Sequence, residues 1–128
     1  MSIRIVRLGA ARAHDEGLRI GTVRRPPRGV PKSAYASQDW YDVWYPVLAP
    51  SPQTVKLAQE ARTAQEWRRF AKRYRAEMRA PDAVHALELL AALSHRTELS
   101  VGCYCADESR CHRSVLRSLL AGMGAKLA

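Results

Sequence analysis

All three cysteines of the chain lie in one short stretch, followed directly by a histidine and an arginine. The stretch contains Cys103, Cys105, Cys111, His112 and Arg113. Thiols, an imidazole and a guanidinium can together provide a nucleophile or redox thiol, an acid–base group and an anion-binding cation. We therefore predict Cys111 as the reactive thiol, His112 as its acid–base partner, and Cys103 and Cys105 as accessory or redox thiols.

The flanking residues place this stretch at a turn from a strand to a helix. Apolar residues alternate over residues 99–103 and recur at helical spacing over residues 115–120. A helix N-terminus presents free amides and partial positive charge, which attract anions and favour thiolate over thiol. We expect Arg113 to bind an anionic small molecule there, together with Arg24 and Arg28 from an earlier segment.

Other interpretations of the cysteines stay open. The stretch has enough ligands for zinc, but neighbouring helical residues point about 100° apart, so Cys111 and His112 can share an ion only if the helix begins after them. The spacing also lacks paired Cys-x-x-Cys knuckles, so the sequence predicts neither a metal nor another cofactor. A reversible redox disulfide and plain packing of small apolar cysteines are the remaining alternatives.

Several motifs of the chain, in the expected order, resemble those of the YeaO-like family, small bacterial proteins grouped as domain of unknown function 488. Residues 111–114 resemble its C-terminal Cys-His-Arg-Ser motif, here in a Cys-x-Cys-x5-Cys-His-Arg variant, and residues 24–30 resemble its Asp-Arg-x-x-Pro-Arg-Gly turn. The Asp-Trp pair at 39–40 and the Pro-Ser pair at 50–51 resemble two further family motifs. Phe70, Tyr74 and Glu77 match a Phe-x-x-x-Tyr-x-x-Glu helix.

The resemblance carries expectations of its own. Val23 stands where the family commonly has aspartate, so a carboxylate role at this position is lost or moved. Some family members lack the cysteines and keep the histidine, which implies His112 as the shared functional group. The family implies a compact α/β domain and no particular reaction, so whether the protein is an enzyme stays open.

The rest of the sequence predicts one α/β domain over residues 1–128. A length of 128 residues with 47% apolar content suits a single core. We predict strands at residues 3–8, 18–24 and 99–103, a short edge strand within 40–48, and helices opened by capping residues near 51, 63 and 81. The expected sheet is mixed or mostly parallel, has three to four strands, and is flanked by about four helices, with the cysteine strand parallel to an early strand.

The N-terminus lacks the apolar core of a signal peptide, and no stretch approaches membrane-spanning length. We therefore expect a cytoplasmic protein without membrane contact. Aromatic residues cluster at 40–45 and are expected to form a second small core beneath a loop. The alternative is that Asp39 and Asp42, which lie among them, present carboxylates at the mouth of a pocket.

The chain is strongly basic, with a formal net charge of +9. The predicted second helix has an apolar side and a basic side formed by Arg68, Arg69, Lys72, Arg73, Arg75 and Arg79. Clustered arginines neutralise phosphates, so a nucleic-acid-binding module is the alternative function. A solvated face on an arginine-rich chain explains the same pattern without a partner.

Overall fold

The computed structural model of the chain describes residues 1–128. Four parallel strands form one sheet in the order β1-β4-β2-β3. The strands are β1 (Ile3–Arg7), β2 (Leu18–Gly21), β3 (Val43–Trp44) and β4 (Leu99–Cys103). The helices are α1 (Pro52–Glu60), α2 (Ala64–Glu77), α3 (Pro81–Leu93) and α4 (His112–Gly122). The predicted α/β class, with a small parallel sheet and four helices, is confirmed.

The cysteine strand β4 lies at the centre of the sheet. All five of its residues are buried, between β1 on one side and β2 on the other. Gly102 allows the close approach of β1, because a Cβ there would lie 2.7 Å from the Leu8 side chain and 2.8 Å from the Val6 carbonyl oxygen. The end of β4 therefore sits between the ends of two parallel neighbours.

The second strand ends earlier than predicted, at Gly21 instead of residue 24. The carbonyl groups that would continue its ladder accept hydrogen bonds from side chains. The Thr22 carbonyl accepts from His112 Nε2 at 2.8 Å, and the Val23 carbonyl accepts from the Trp44 indole at 2.8 Å. Beyond Gly21 these two carbonyls therefore bond to side chains instead of to a neighbouring strand.

The helices begin where the sequence predicts. Ser51 caps α1, and Thr63 with Glu66 forms a complete capping box at the start of α2. The apolar side of α2 contributes Phe70 and Tyr74 to a main core of 15 buried residues. None of the helices has both the length and the apolar character needed to cross a membrane.

A second core lies under the turn that follows β4. It contains five buried residues: Leu8, Val23, Tyr41, Cys103 and Cys111. Tyr35, Trp40 and Tyr104 pack against it. The predicted second core is confirmed for Tyr41 and Trp40, whereas Trp44 is 42% exposed.

Candidate functional site

The three thiols meet at the carboxyl end of β4. Cys103 is the last residue of that strand, Cys105 follows two residues later, and Cys111 precedes the first residue of α4. The sulfur atoms of Cys103 and Cys105 are 3.8 Å apart. The sulfurs of Cys103 and Cys111 and a ring nitrogen of His112 all lie within 4.8 Å of one another. We call these four residues the thiol cluster.

The segment between the second and third thiols folds back because local polar contacts hold it. The Asp107 carboxylate accepts from the Ser109 amide at 3.0 Å, which starts a short 3-10 turn over Glu108–Arg110. Glu108 forms an ion pair with Arg117 of α4 at 2.7 Å. Cys111 is therefore returned to the strand end in an extended conformation, with φ −132° and ψ 153°.

His112 is held in one tautomer. Its Nε2 lies 2.8 Å from the Thr22 carbonyl, which can only accept, so Nε2 carries the proton. The other ring nitrogen, Nδ1, faces the Cys111 sulfur at 3.9 Å. The ring is 6% exposed and packs edge-on against Tyr74, with centroids 5.4 Å apart.

The thiols do not share one ionisation behaviour. Hydrogen bonds from Cys103 and Cys111, aided by the charge of Arg113, lower the pKa of Cys105 well below its usual range. The same hydrogen bonds raise the pKa of Cys103, which stays a thiol. Cys103 also lowers the pKa of Cys111, with a further contribution from His112. The cluster therefore favours a thiolate that is shared among close sulfur atoms.

Arg113 is a buried cation without a carboxylate partner. It is 3% exposed and forms none of the ion pairs in the protein. Its Nη2 donates to the Cys105 carbonyl at 2.6 Å, and its Nε has no hydrogen-bond acceptor. A buried charge normally needs an opposite charge. None of the hydrogen bonds of Arg113 supplies that charge, although its own charge helps to lower the pKa of Cys105.

The thiol cluster lies at the wall of a cleft of about 1070 Å³. Cys105 is exposed there, whereas Cys103 and Cys111 are 7% and 1% exposed. Five arginines line the same cleft: Arg7, Arg24, Arg25, Arg28 and Arg110. Aromatic and proline side chains form much of the remaining wall. The arrangement has the positive charge needed to attract an anion.

A family model described as the active DUF488-N3 subclade matches residues 3–124. The chain belongs to the DUF488 family. No curated protein and no solved structure is significantly similar to the chain. The DUF488 match extends from β1 through α4, so the fold and the thiol cluster both lie within the matched residues. The resemblance to the YeaO-like family is confirmed at this level.

The structure of this DUF488 chain brings most of the predicted site residues together. Cys103, Cys105, Cys111 and His112 line the cleft, as do Arg24 and Arg28. Arg24 is held in place because its guanidinium donates to the carbonyls of Pro46, Ala49 and Pro50 at 3.0–3.3 Å. Arg28 is exposed. Arg113 is not among the cleft-lining residues and lies beneath the turn.

Two features of the DUF488 site were missed from the sequence. Thr22 orients His112 through its backbone carbonyl, and a backbone group has no residue-type signature. Arg7 and Arg110 add to the charge of the cleft. Arg7 ends the strand that pairs with β4, so its position at a parallel strand end was the one available signal.

Proposed function

We propose that this DUF488 protein binds an anionic ligand in the cleft and performs thiolate chemistry on it with the thiol cluster. One observation carries the proposal: an exposed cysteine, which lies next to two buried thiols, faces a cleft that five arginines line. Cationic side chains in a concave site attract an anion and orient it. The ligand class is therefore a small molecule with a phosphate, sulfate or carboxylate group.

Cys105 is the attacking sulfur in this proposal. The sequence favours Cys111 for that role, but Cys111 is 1% exposed and is enclosed by the second core. Cys105 faces the cleft, and Cys103 lies 3.8 Å from it as a hydrogen-bond donor. In the metal-free protein, His112 accepts a proton through Nδ1, which faces Cys111 at 3.9 Å. Arg113 provides the buried positive charge that the thiolate needs.

The proposal predicts a preference for an anionic alkylating reagent. Iodoacetate and iodoacetamide carry the same leaving group, and only iodoacetate is negatively charged. The ratio of the iodoacetate rate to the iodoacetamide rate at Cys105 should be about tenfold higher than the same ratio for the thiol of glutathione, because the arginines concentrate the anion. Site-resolved mass spectrometry of reduced, chelator-treated protein measures the ratio.

A pair of arginine variants provides the control. Arg28→Ala removes a charge from the cleft and should lower the ratio, whereas Arg79→Ala removes an exposed charge from the turn that follows α2 and should leave the ratio unchanged. A rate ratio at Cys105 equal to that of glutathione would contradict the proposal. A Cys105 thiol that is not alkylated until the protein unfolds would contradict it as well.

A second candidate function is nucleic-acid binding by α2. The basic side of this helix and Arg79, which follows its end, are exposed. None of these charges forms an ion pair with a carboxylate: Arg68, Arg69, Lys72, Arg73, Arg75 and Arg79. Unpaired cations along one helix face can neutralise successive phosphates and release counterions. The charge distribution therefore favours a phosphate backbone over a neutral partner.

Fluorescence anisotropy of a labelled oligonucleotide tests this second candidate. The logarithm of the binding constant should fall steeply with the logarithm of salt concentration. The double variant Arg68→Ala and Arg69→Ala should reduce that slope by about one for each lost phosphate contact. Cys105→Ser should not change the slope. Absence of binding at low salt would exclude the module.

A further inference from the structure

We propose that the thiol cluster is a zinc site, with Cys103, Cys111 and His112 as buried ligands and Cys105 as an outer, exchangeable ligand. This inference rests on the proposed function only through the shared thiols. It deepens that function by placing a divalent ion beneath the anionic ligand. It commits to a thiophilic ion, because three sulfurs and one imidazole form a soft ligand set. Zn²⁺ is the ion that such a set holds as a tetrahedron.

Two of the distances between ligand atoms match edges of that tetrahedron. Zinc–sulfur bonds of about 2.3 Å and zinc–nitrogen bonds of about 2.0 Å place sulfurs about 3.8 Å apart and sulfur about 3.6 Å from nitrogen. The Cys103–Cys105 sulfur distance is 3.8 Å, and the Cys111 sulfur lies 3.9 Å from His112 Nδ1. Cys103, Cys111 and His112 offer ligand atoms that are all within 4.8 Å of one another. Cys105 is not part of that group, so its side chain has to move toward the other ligand atoms to complete the tetrahedron.

The extended conformation of Cys111 answers the main argument against zinc from the sequence, although α4 begins at His112 and not after it. Two neighbouring residues in a helix point apart, but Cys111 is extended and α4 begins only at His112. An extended residue followed by the first helical residue can direct both side chains to one point, as the 3.9 Å distance between the two ligand atoms demonstrates. The strand residue Cys103 approaches that point from β4.

The surroundings of His112 also match a metal ligand. Ligating histidines usually donate their other ring N–H to a carbonyl or carboxylate, which fixes the ring and the tautomer. His112 Nε2 donates to the Thr22 carbonyl at 2.8 Å and leaves Nδ1 free to bind the ion. The T-shaped contact with Tyr74 further restricts the orientation of the ring.

The charge of the site is balanced with the ion bound. Three thiolates and one Zn²⁺ carry a net charge of −1, and Arg113 carries +1. Arg113 is buried, forms no ion pair with a carboxylate, and has an Nε without an acceptor. Its Nη2 donates to the carbonyl of Cys105. A buried guanidinium beside a metal–thiolate group therefore has the opposite charge that it lacks within the protein.

Cys105 distinguishes this site from a closed structural zinc centre. Closed centres keep four protein ligands, whereas reactive centres leave one position to water or substrate. Cys105 is exposed, lies in the irregular segment after β4 and lines the arginine-rich cleft. Exchange of this ligand opens the ion toward the cleft, where an anionic ligand would bind it.

Metal titration of the reduced wild-type protein is the direct test. In competition with a chromophoric chelator of micromolar affinity, the chain should take up one Zn²⁺. Co²⁺ should produce the strong visible bands of a tetrahedral thiolate complex. Loss of all Zn²⁺ to the chelator, with only the pale spectrum of hydrated Co²⁺, would overturn the proposal.

Variants identify the ligands. Cys103→Ser and His112→Asn should each lower the Zn²⁺ affinity at least tenfold, and Cys105→Ser should retain Zn²⁺ with an altered Co²⁺ spectrum. His85→Asn is the matched control, since His85 is exposed on α3 and should bind as wild type. Circular dichroism verifies that each variant is folded. A Zn²⁺ affinity of Cys103→Ser equal to that of the wild type would contradict the site. If a variant is unfolded, the titration of the wild-type protein alone tests the proposal.

The failure of this proposal can be told apart from the failure of the anion proposal. The alkylation ratio is measured in chelator and does not depend on zinc. A raised ratio without Zn²⁺ uptake refutes the metal site alone. Zn²⁺ uptake with a ratio equal to that of glutathione supports the metal site and refutes anion-directed thiol chemistry.

Discussion

Glu16 and Arg19 form a buried ion pair beside the sheet. The Glu16 side chain is 3% exposed and that of Arg19 is 1% exposed, with 2.6 Å between Arg19 Nε and the carboxylate. Ser100 of β4 donates to the same carboxylate at 2.7 Å, and Arg19 also donates to the carbonyls of Ala10 and Asp39. Every polar atom of this pair therefore has a partner, in contrast to Arg113.

Removing the negative charge of this ion pair should destabilise the fold. Glu16→Gln leaves Arg19 buried with no opposite charge, so we expect a loss of about 3–5 kcal/mol in the free energy of unfolding. Urea denaturation measures the loss. The control Asp15→Asn affects an ion pair with Arg4 whose carboxylate is 66% exposed, and it should cost less than about 1 kcal/mol. Equal losses in both variants would show that burial does not govern the effect.

The Glu16 carboxylate should make the free energy of unfolding depend on pH in the acid range. Burial opposes ionisation of Glu16, but hydrogen bonds from Arg19 and Ser100 outweigh it and lower its pKa to about 2. The stabilisation is therefore complete above the unfolded pKa of about 4.3 and is lost as pH falls toward the folded value. The difference in unfolding free energy between wild type and Glu16→Gln should be constant near neutral pH and shrink in this window. A difference that stays constant down to pH 2 would contradict the assignment.

At the scale of elements, the site depends on how closely three parallel strands approach one another. The turn that carries the thiols follows Gly102, which pairs with Val6 of β1 and with Gly21 of β2. Leu8 and Val23, which follow the ends of β1 and β2, form part of the second core around this turn. A change that separates β1 from β4 would therefore also displace Cys103.

Gly102→Ala tests this dependence. The added methyl group would lie 2.7 Å from Leu8 and 2.8 Å from the Val6 carbonyl oxygen, so we expect a loss of about 1–3 kcal/mol from overpacking. Gly122→Ala, at the end of α4, meets nothing within 4 Å and should be neutral or raise stability by up to about 1 kcal/mol. Thermal unfolding compares the two variants. A Gly102→Ala protein as stable as wild type would show that the strands can separate freely.

At the scale of the whole molecule, positive charge is in excess and unevenly placed. The chain carries a formal net charge of +9. The ion pairs lie at the N-terminus, near the strand ends, within α1 and between Glu108 and Arg117 of α4, while the basic side of α2 has none. Like charges in one face repel one another in the folded state.

Salt should therefore stabilise the protein. Raising NaCl from about 10 mM to about 150 mM shortens the screening length from about 30 Å to about 8 Å, which weakens repulsion among exposed charges. We expect the unfolding midpoint to rise with salt over this range. The rise should be smaller in the double variant Arg68→Ala and Arg69→Ala, and scanning calorimetry measures both. A midpoint that falls with salt would indicate that attractive pairs dominate.

The sequence by itself determined the elements and their order. Hydrophobic periodicity and capping residues located the four helices and the cysteine strand, because these signals arise between residues that are close along the chain. Ser51, Thr63 and Glu66 act at the predicted helix starts. The strand-to-helix turn and the convergence of its thiols were predictable for the same reason.

Only the tertiary structure decided which groups face one another at the site. Exposure of Cys105, enclosure of Cys111 and the bond from His112 to Thr22 depend on contacts between segments far apart in sequence. The early end of β2 and the buried Glu16–Arg19 pair have the same origin. Such contacts depend on how the strands pack side by side, and residue spacing carries no information about distances across a sheet. The ligand geometry that favours zinc therefore became visible only when Cys103 and Cys111 were placed together in space.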